Sequence, residues 1–253
     1  MIDPLLQEHY ERKYAEEAQG GSHAIVTGWQ IPNDRYKAAV YLMHRYFRGG
    51  RILELGAGDG MVARTLIANG LPFDGYVVSD LSHARTRGMA QSFTDPRVQA
   101  TQIDAEDMPQ DVSGGFDAVL MVALIEHLID PITAMKKIRG VLRPGGFVCI
   151  DTPNIAKWTR RLKLVAGRFP STAARDEGLR TYDNRSVTLY DEGHLHYFTY
   201  RSLERMLTEY CGYTRTVRFG YNFGQCPIGN RLGFELAQRW PALLSDIALL
   251  AYV

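Results

Sequence analysis

Between residues 51 and 152 short apolar runs alternate with stretches whose apolar positions recur every three or four residues. Ile52, Leu53 and Leu55 surround the single acid Glu54 and read as a buried parallel strand. A helix follows from Met61 to Asn69, closed by Gly70, and a second strand runs from Gly75 to Asp80. Val98 to Ile103 and Phe116 to Val122 are predicted as strands three and four. Pro131 opens a helix with Ile132, Met135, Ile138 and Leu142 on one face. Residues 143–146 (Arg-Pro-Gly-Gly) stop that helix before a fifth strand, Phe147 to Thr152. Alternation of this kind predicts a doubly wound, mostly parallel α/β sheet, with any ligand at the carboxyl ends of its strands.

Outside this core the pattern is looser. Residues 3–19 form a polar helical stretch carrying Tyr10 and Tyr14, and a loop through Trp29 leads to Asn33 or Asp34, which caps a helix to about Phe47. Residues 1–49 therefore read as an N-terminal arm, packed on the core or lying over a ligand as a lid. Residues 50–253 read as the main domain, with an insertion over 153–198. After it, Thr199 caps a helix bearing Leu203, Met206, Leu207 and Tyr210, closed by Gly212. Thr214 to Phe219 should be a strand, Cys226 to Leu244 helical with a break at Pro241, and residues 246–253 a last apolar strand.

Composition narrows the classes. The chain has 253 residues, is 45% hydrophobic and carries a formal charge of +1, so it can bury a sizeable core and offers no basic surplus for nucleic acid. Cys149, Cys211 and Cys226 are scattered, which fits a reducing cytoplasm and neither a disulfide framework nor a thiolate metal site. No apolar run is long enough to span a bilayer, and residues 1–20 do not read as a signal peptide.

Chemistry concentrates where the strands end. Gly56, Gly58 and Gly60, with Ala57 between the first two, form a strand-to-helix turn that lets a ligand approach backbone and helix amides. Met61 stands where a dinucleotide motif needs its third glycine, and Glu54 suits an ammonium group better than a pyrophosphate. Asp80 is placed to accept from ribose hydroxyls or to cap the next helix. Asp104, Ala105 and Glu106 follow strand three, and Glu126 and His127 follow strand four.

Residues 53–60 resemble motif I of the class I S-adenosylmethionine (SAM)-dependent methyltransferases. Asp80, Asp104, the strand opening at Phe116, the segment Glu126 to Pro131 and residues 142–146 follow in that family's order and spacing. Glu126 to Pro131 looks most like the branch of ubiquinone-biosynthesis O-methyltransferases and bacterial small-molecule and sugar methyltransferases. The resemblance implies a seven-stranded Rossmann-like sheet whose last strand enters antiparallel. It implies SAM as cofactor, with its methionine end on Glu54 and the glycine turn, its ribose on Asp80 beside Leu81, and its adenine by Asp104, Ala105 and Glu106. It also implies methyl transfer to a small-molecule hydroxyl on a sugar, glycolipid intermediate or phenolic quinone precursor. N-methylation, a protein or RNA acceptor, and SAM binding without catalysis are the competing readings.

His127, His194 and His196 are the candidates for the base that removes the acceptor proton, since imidazole titrates near working pH. If extended, residues 194–196 project both histidines to one side, as a catalytic pair or as loop anchors. The ubiquinone-pathway enzymes bind a divalent metal with an acid three residues before the equivalent of Glu126. Ala123 stands there, so no metal is expected. Within the insertion, residues 155–169 form a basic amphipathic helix that either packs over the site mouth or rests peripherally on an anionic membrane.

Overall fold

The computed structural model describes residues 30–108, 115–172, 190–221 and 230–253. The expected helix over 3–19, Trp29 and Cys226 lie outside them. Helix α1 (Arg35–Tyr46) begins at Asp34, whose carboxylate accepts from the Lys37 amide at 2.8 Å. The chain then alternates through β1 (Arg51–Leu55), α2 (Met61–Ala68), β2 (Gly75–Asp80), α3 (His83–Ser92), β3 (Val98–Gln102) and β4 (Phe116–Val122). After a single turn at Ile125–His127 come α4 (Pro131–Val141), β5 (Leu142–Thr152) and α5 (Trp158–Val165). A second turn at Tyr190–Gly193 leads into α6 (Tyr200–Arg205), whose last turn widens over Met206–Tyr210. β6 (Arg215–Phe219), α7 (Asn230–Arg239), α8 (Pro241–Leu244) and β7 (Ile247–Tyr252) complete the chain.

The seven strands form one sheet in the order β3-β2-β1-β4-β5-β7-β6. All neighbours are parallel except β7, which runs antiparallel to both β5 and β6. Side chains alternate across it as strand geometry requires. Leu53 and Leu55, Val119 and Met121, and Val148 and Ile150 face the layer built from α4 and α6. Ile52, Val78, Ala118, Leu120, Phe147 and Cys149 face the layer of α1, α2 and α3. The same parity sends Glu54, Asp80 and Asp151 toward α1–α3 at the carboxyl edge.

Residues 142–146 depart from expectation. They do not separate helix from strand but belong to β5 itself, which pairs Phe116 with Leu142 and then Ala118 with Phe147. The intervening Arg-Pro-Gly-Gly is a bulge, with Gly145 at φ 81° and Pro144 contributing no amide.

The insertion is fastened at both ends. Asn154 is fully buried, donating through Nδ2 to Ala242 O (3.0 Å) and Ser245 O (2.9 Å) while Oδ1 accepts from Ala156 N. The Ile155 amide bonds Phe198 O at 2.9 Å, joining the start of the insertion to its finish. Lys157 and Arg160 turn inward to Asp246 at 3.4 and 2.5 Å. Two cations of the basic stripe are therefore structural, and the outer side of α5 carries the exposed Trp158, Leu162, Leu164 and Val165.

Candidate active site

The glycine turn is held by one carboxylate. Asp80 accepts from Gly58 N and Ser82 N, both at 2.9 Å, with the Arg85 guanidinium 3.7 Å away. Ser82 itself caps α3, so the alternative role for Asp80 as that helix's cap is filled by its neighbour. Ala57 N bonds Ser79 O at 2.8 Å and Gly60 N returns to Ala57 O at 2.9 Å, curling the chain into α2. Gly56, Gly58 and Gly60 have φ of 66°, 62° and 78°, where a side chain is strained. Above Gly58 a Cβ would meet only Arg85 Nη1 at 3.8 Å, which leaves room against the backbone for a ligand.

Beneath this turn Glu54 is buried and accepts from the Tyr76 hydroxyl at 2.6 Å. Burial raises its pKa from 4.5 to about 7, although the Tyr76 bond and Arg64 favour the charged form. Asp104 lies at the end of β3, its Oδ1 accepting from Glu106 N at 2.8 Å, with Ala105 buried beside it. Leu81 O is taken by Gln102 Nε2 at 2.7 Å. The Glu106 carboxylate has a structural task as well. Its oxygens bond Ile129 N (3.0 Å) and Asp130 N (2.7 Å), so the side chain braces the loop after Glu126.

The other wall starts at Ala123, in the left-handed region at φ 53°, with its amide on Asp151 O. This turn packs Leu124 against Gly56, where an added Cβ would lie 3.1 Å from Leu124 Cδ1. Glu126 is buried, with Oε2 accepting from Thr152 Oγ1 at 2.8 Å and Oε1 lacking a partner among the described residues. Burial raises its pKa, and Arg35 opposes the shift. The Glu126 carbonyl accepts from Leu195 N (2.8 Å) and His196 N (3.1 Å), which docks the far end of the insertion onto the loop after β4.

That docking brings His127 and His194 edge to face, with ring centroids 4.8 Å apart. His127 Nδ1 lies 3.1 Å from Gly193 O, and His194 Nδ1 lies 2.6 Å from Thr172 Oγ1. Thr172 Oγ1 in turn donates to Asp191 Oδ2 at 2.9 Å. The run is consistent in one direction, with His194 Nδ1–H donating to threonine and threonine to aspartate. Asp191 is buried, and although burial pushes its pKa up, bonds from Ser171 and Thr172 and the His194 ring hold it below the ordinary carboxylate range. At φ 46°, it shares with Ala123 the distinction of positive φ in a non-glycine residue among the described residues. His196 does not join this pair. Residues 194–197 are not an extended strand, and its Nε2 sits 3.3 Å from Ile129 O as a loop anchor.

Glu126, His127 and His194 each bring one ligand-type atom to within 4.8 Å of the others. Ala123 supplies no carboxylate to this set, which can serve proton transfer or hold a divalent cation. Sequence reading named neither Thr172 nor Tyr76, because the contacts that give them roles join residues 22 positions apart. Asp191, three residues before His194, carried the one local signal.

A methyltransferase-domain profile matches residues 33–214. The chain belongs to this methyltransferase family. Ubiquinone biosynthesis O-methyltransferases of Acinetobacter baumannii (strain AYE) and Pseudomonas aeruginosa (strain LESB58) are each 28% identical to it over 106 residues, 42% of this chain and 45% of theirs. The methyltransferase thus spans less than half the length of these curated relatives. Its fold is shared over the whole length of both chains with the DhpI–SAM–HEP complex, at a TM-score of 0.61 and 18% identity. It is also shared with a Haemonchus contortus phosphoethanolamine N-methyltransferase 2 in complex with SAM, at a TM-score of 0.60 and 14% identity over 100% of this chain and 60% of that one. The chain thus carries a methyltransferase domain built on a Rossmann-like sheet. Among the described residues no helix is long and apolar enough to cross a membrane.

Glu54 makes stability pH-dependent in a definite sense. The folded protein keeps this proton between pH 4.5 and about 7, where the unfolded chain has lost it, so stability falls as pH rises through that window. Glu54→Gln should therefore gain up to about 3 kcal/mol relative to the wild type between pH 5 and pH 8. Urea unfolding at the two pH values measures this, and an equal offset at both would show that Glu54 does not titrate there.

Proposed function

We propose that this methyltransferase O-methylates a small-molecule acceptor, with the His127–His194 pair receiving the hydroxyl proton. The observation that carries the reading is the edge contact of these two rings beside a loop packed on the glycine turn. SAM supplies a methyl group made electrophilic by its sulfonium. The turn at Gly56, Ala57, Gly58 and Gly60 and the amides of α2 would receive its carboxylate, and Glu54 its ammonium group. Asp80 would accept from the ribose beside Leu81, and Asp104 and Ala105 would border the adenine. As the acceptor oxygen forms its bond to the methyl carbon, the carbon–sulfur bond breaks and the oxygen's proton passes to an imidazole. Asp191, acting through Thr172, stabilises the positive charge that His194 then carries. The 28% identity to O-methyltransferases supports oxygen as the acceptor atom, whereas the fold, shared with an N-methyltransferase, does not distinguish the atoms.

Asp80→Ala should weaken SAM binding by about 1–3 kcal/mol in calorimetry through lost hydrogen bonds, and unchanged affinity would remove Asp80 from the ribose site. His127→Gln and His194→Gln should lower methyl transfer from labelled SAM to fractionated lysate by about 100-fold or more, with SAM affinity retained. Activity surviving EDTA supports proton transfer by imidazole; activity lost to EDTA and restored by Mn²⁺ would assign the cluster to a cation instead.

The exposed side of α5 supports a second contact. Trp158, Leu162, Leu164 and Val165 lie outward with Arg161 and Lys163 in the same helix, an apolar stripe with cations that suits an anionic lipid surface. The protein should pellet with vesicles containing phosphatidylserine and lose this on Leu162→Glu. Equal pelleting with and without vesicles would end the membrane reading.

A further inference from the structure

Strand parity turns Asp151 toward the same layer as Glu54, but under α1 rather than α2. Phe147 and Cys149 precede it on that face of β5, and Tyr221, just beyond β6, belongs to the same layer. Arg35, the first residue of α1, faces Asp151, Tyr221 and Glu126. Four segments distant in sequence thus converge where the sheet ends.

Their polar atoms are not matched to one another. Asp151 Oδ2, Glu126 Oε1 and the Tyr221 hydroxyl are all buried without a hydrogen-bond partner among the described residues. The Tyr221 hydroxyl lies against the Asp151 carboxyl and influences it, but neither that hydroxyl nor Oδ2 reaches well-formed hydrogen-bond geometry with any described residue. More than nine in ten buried polar groups find partners, and each orphan lowers stability. The adjoining residues show that matching is available here. Asp246 receives Lys157, Arg160 and the Asn154 amide, and Asn154 uses both side-chain atoms. Three of the five such atoms among the described residues fall in this one cluster, the others being His44 Nε2 and Arg64 Nη2, and the cluster lies beside Glu126 and therefore beside the His127–His194 pair.

The charges narrow what would fill it. Burial pushes the Asp151 carboxyl well above its usual range and Glu126 upward too, and Arg35 stands opposite both. A cluster with one cation and two acids inclined to hold protons calls for neither a strong anion nor a strong cation. It calls for groups that both donate and accept, and hydroxyls do both.

Resting on the O-methyl transfer reading above, we propose that Arg35, Asp151 and Tyr221, bounded by Glu126, form the acceptor-recognition pocket. It takes an uncharged acceptor with two neighbouring hydroxyl groups. Asp151 and Tyr221 hold one hydroxyl, which presents the adjacent one to His127 and His194 for methylation. The three residues are specificity determinants and exchange no proton in the reaction. Adjacent hydroxyls occur on saturated rings and on aromatic ones, and the pocket's chemistry is common to both.

The test uses the intact protein and labelled SAM with a cell extract divided on a boronate column, which retains adjacent hydroxyls. Label should enter the retained pool, and its ultraviolet absorption tells an aromatic from a saturated acceptor. Tyr221→Phe and Asp151→Asn should each cut that transfer at least tenfold, with SAM affinity within twofold of wild type. Tyr221→Phe should melt no lower than wild type, since its hydroxyl has no partner to lose. Label confined to the flow-through, full transfer by either variant, or a Tyr221→Phe protein melting several degrees lower would each overturn the pocket while leaving hydroxyl transfer standing. SAM bound normally with label in neither pool would overturn both.

Discussion

The organising constraint of this molecule is the burial of carboxyl groups along the edge where its strands end. Glu54, Asp80, Glu126, Asp151 and Asp246 all sit there, and none is more than a few per cent exposed. A buried carboxylate needs a cation or several donors to stay ionised. Asp246 has both, and its pKa is lowered in spite of its burial. Asp80 takes two amides and an arginine. Glu54, Glu126 and Asp151 are less well served and are pushed toward the protonated form. The first two acids tie the sheet to its turns and to the insertion. Of the other three, Glu126 and Asp151 each keep an oxygen without a partner among the described residues, at a cost in stability.

The insertion is consequently fastened to the carboxyl edge of the sheet at both ends rather than being an ornament of the fold. Its far end hangs on the carbonyl of Glu126, and its near end on Asn154 and Asp246. His194 reaches His127 only because residues 190–196 are seated this way. Ala123 and Asp191 accept an unfavourable backbone conformation on either side of the contact, at a cost on the order of 1 kcal/mol or more each.

Much of this was legible before any coordinates. The bounds of β2 and β4 were readable because strand periodicity there ends abruptly, at an acid or before a strained residue. The cap at Asp34 and the glycine turn carry their chemistry locally. The bulge at 142–146 was misread because Pro-Gly-Gly signals a stop whenever pairing partners are unknown, and Phe116 and Val253 supply them here. The bonds from Glu106 to the loop at 129–130 have no sequence signature, because an acid beside Asp104 gives no sign that this loop lies within its reach. His194 and His196 were read as equals because alternation assumes an extended strand, whereas the turn at Tyr190–Gly193 swings them to different partners. The Arg35–Asp151–Tyr221 cluster had no sequence signature, since three distant segments assemble it.

The position of β7 has a bearing on how the protein comes into being. It lies between β5 and β6, so β6 has no neighbour in the sheet until residues 247–252 emerge and thread into place. Asp246, which grips α5 through Lys157 and Arg160, arrives with them. Without this segment β1 to β4 keep all their sheet partners, whereas β6 keeps none and α5 loses its anchor. One antiparallel strand thus ties the edge of the sheet and the insertion together, so that an error in seating it loosens both at once.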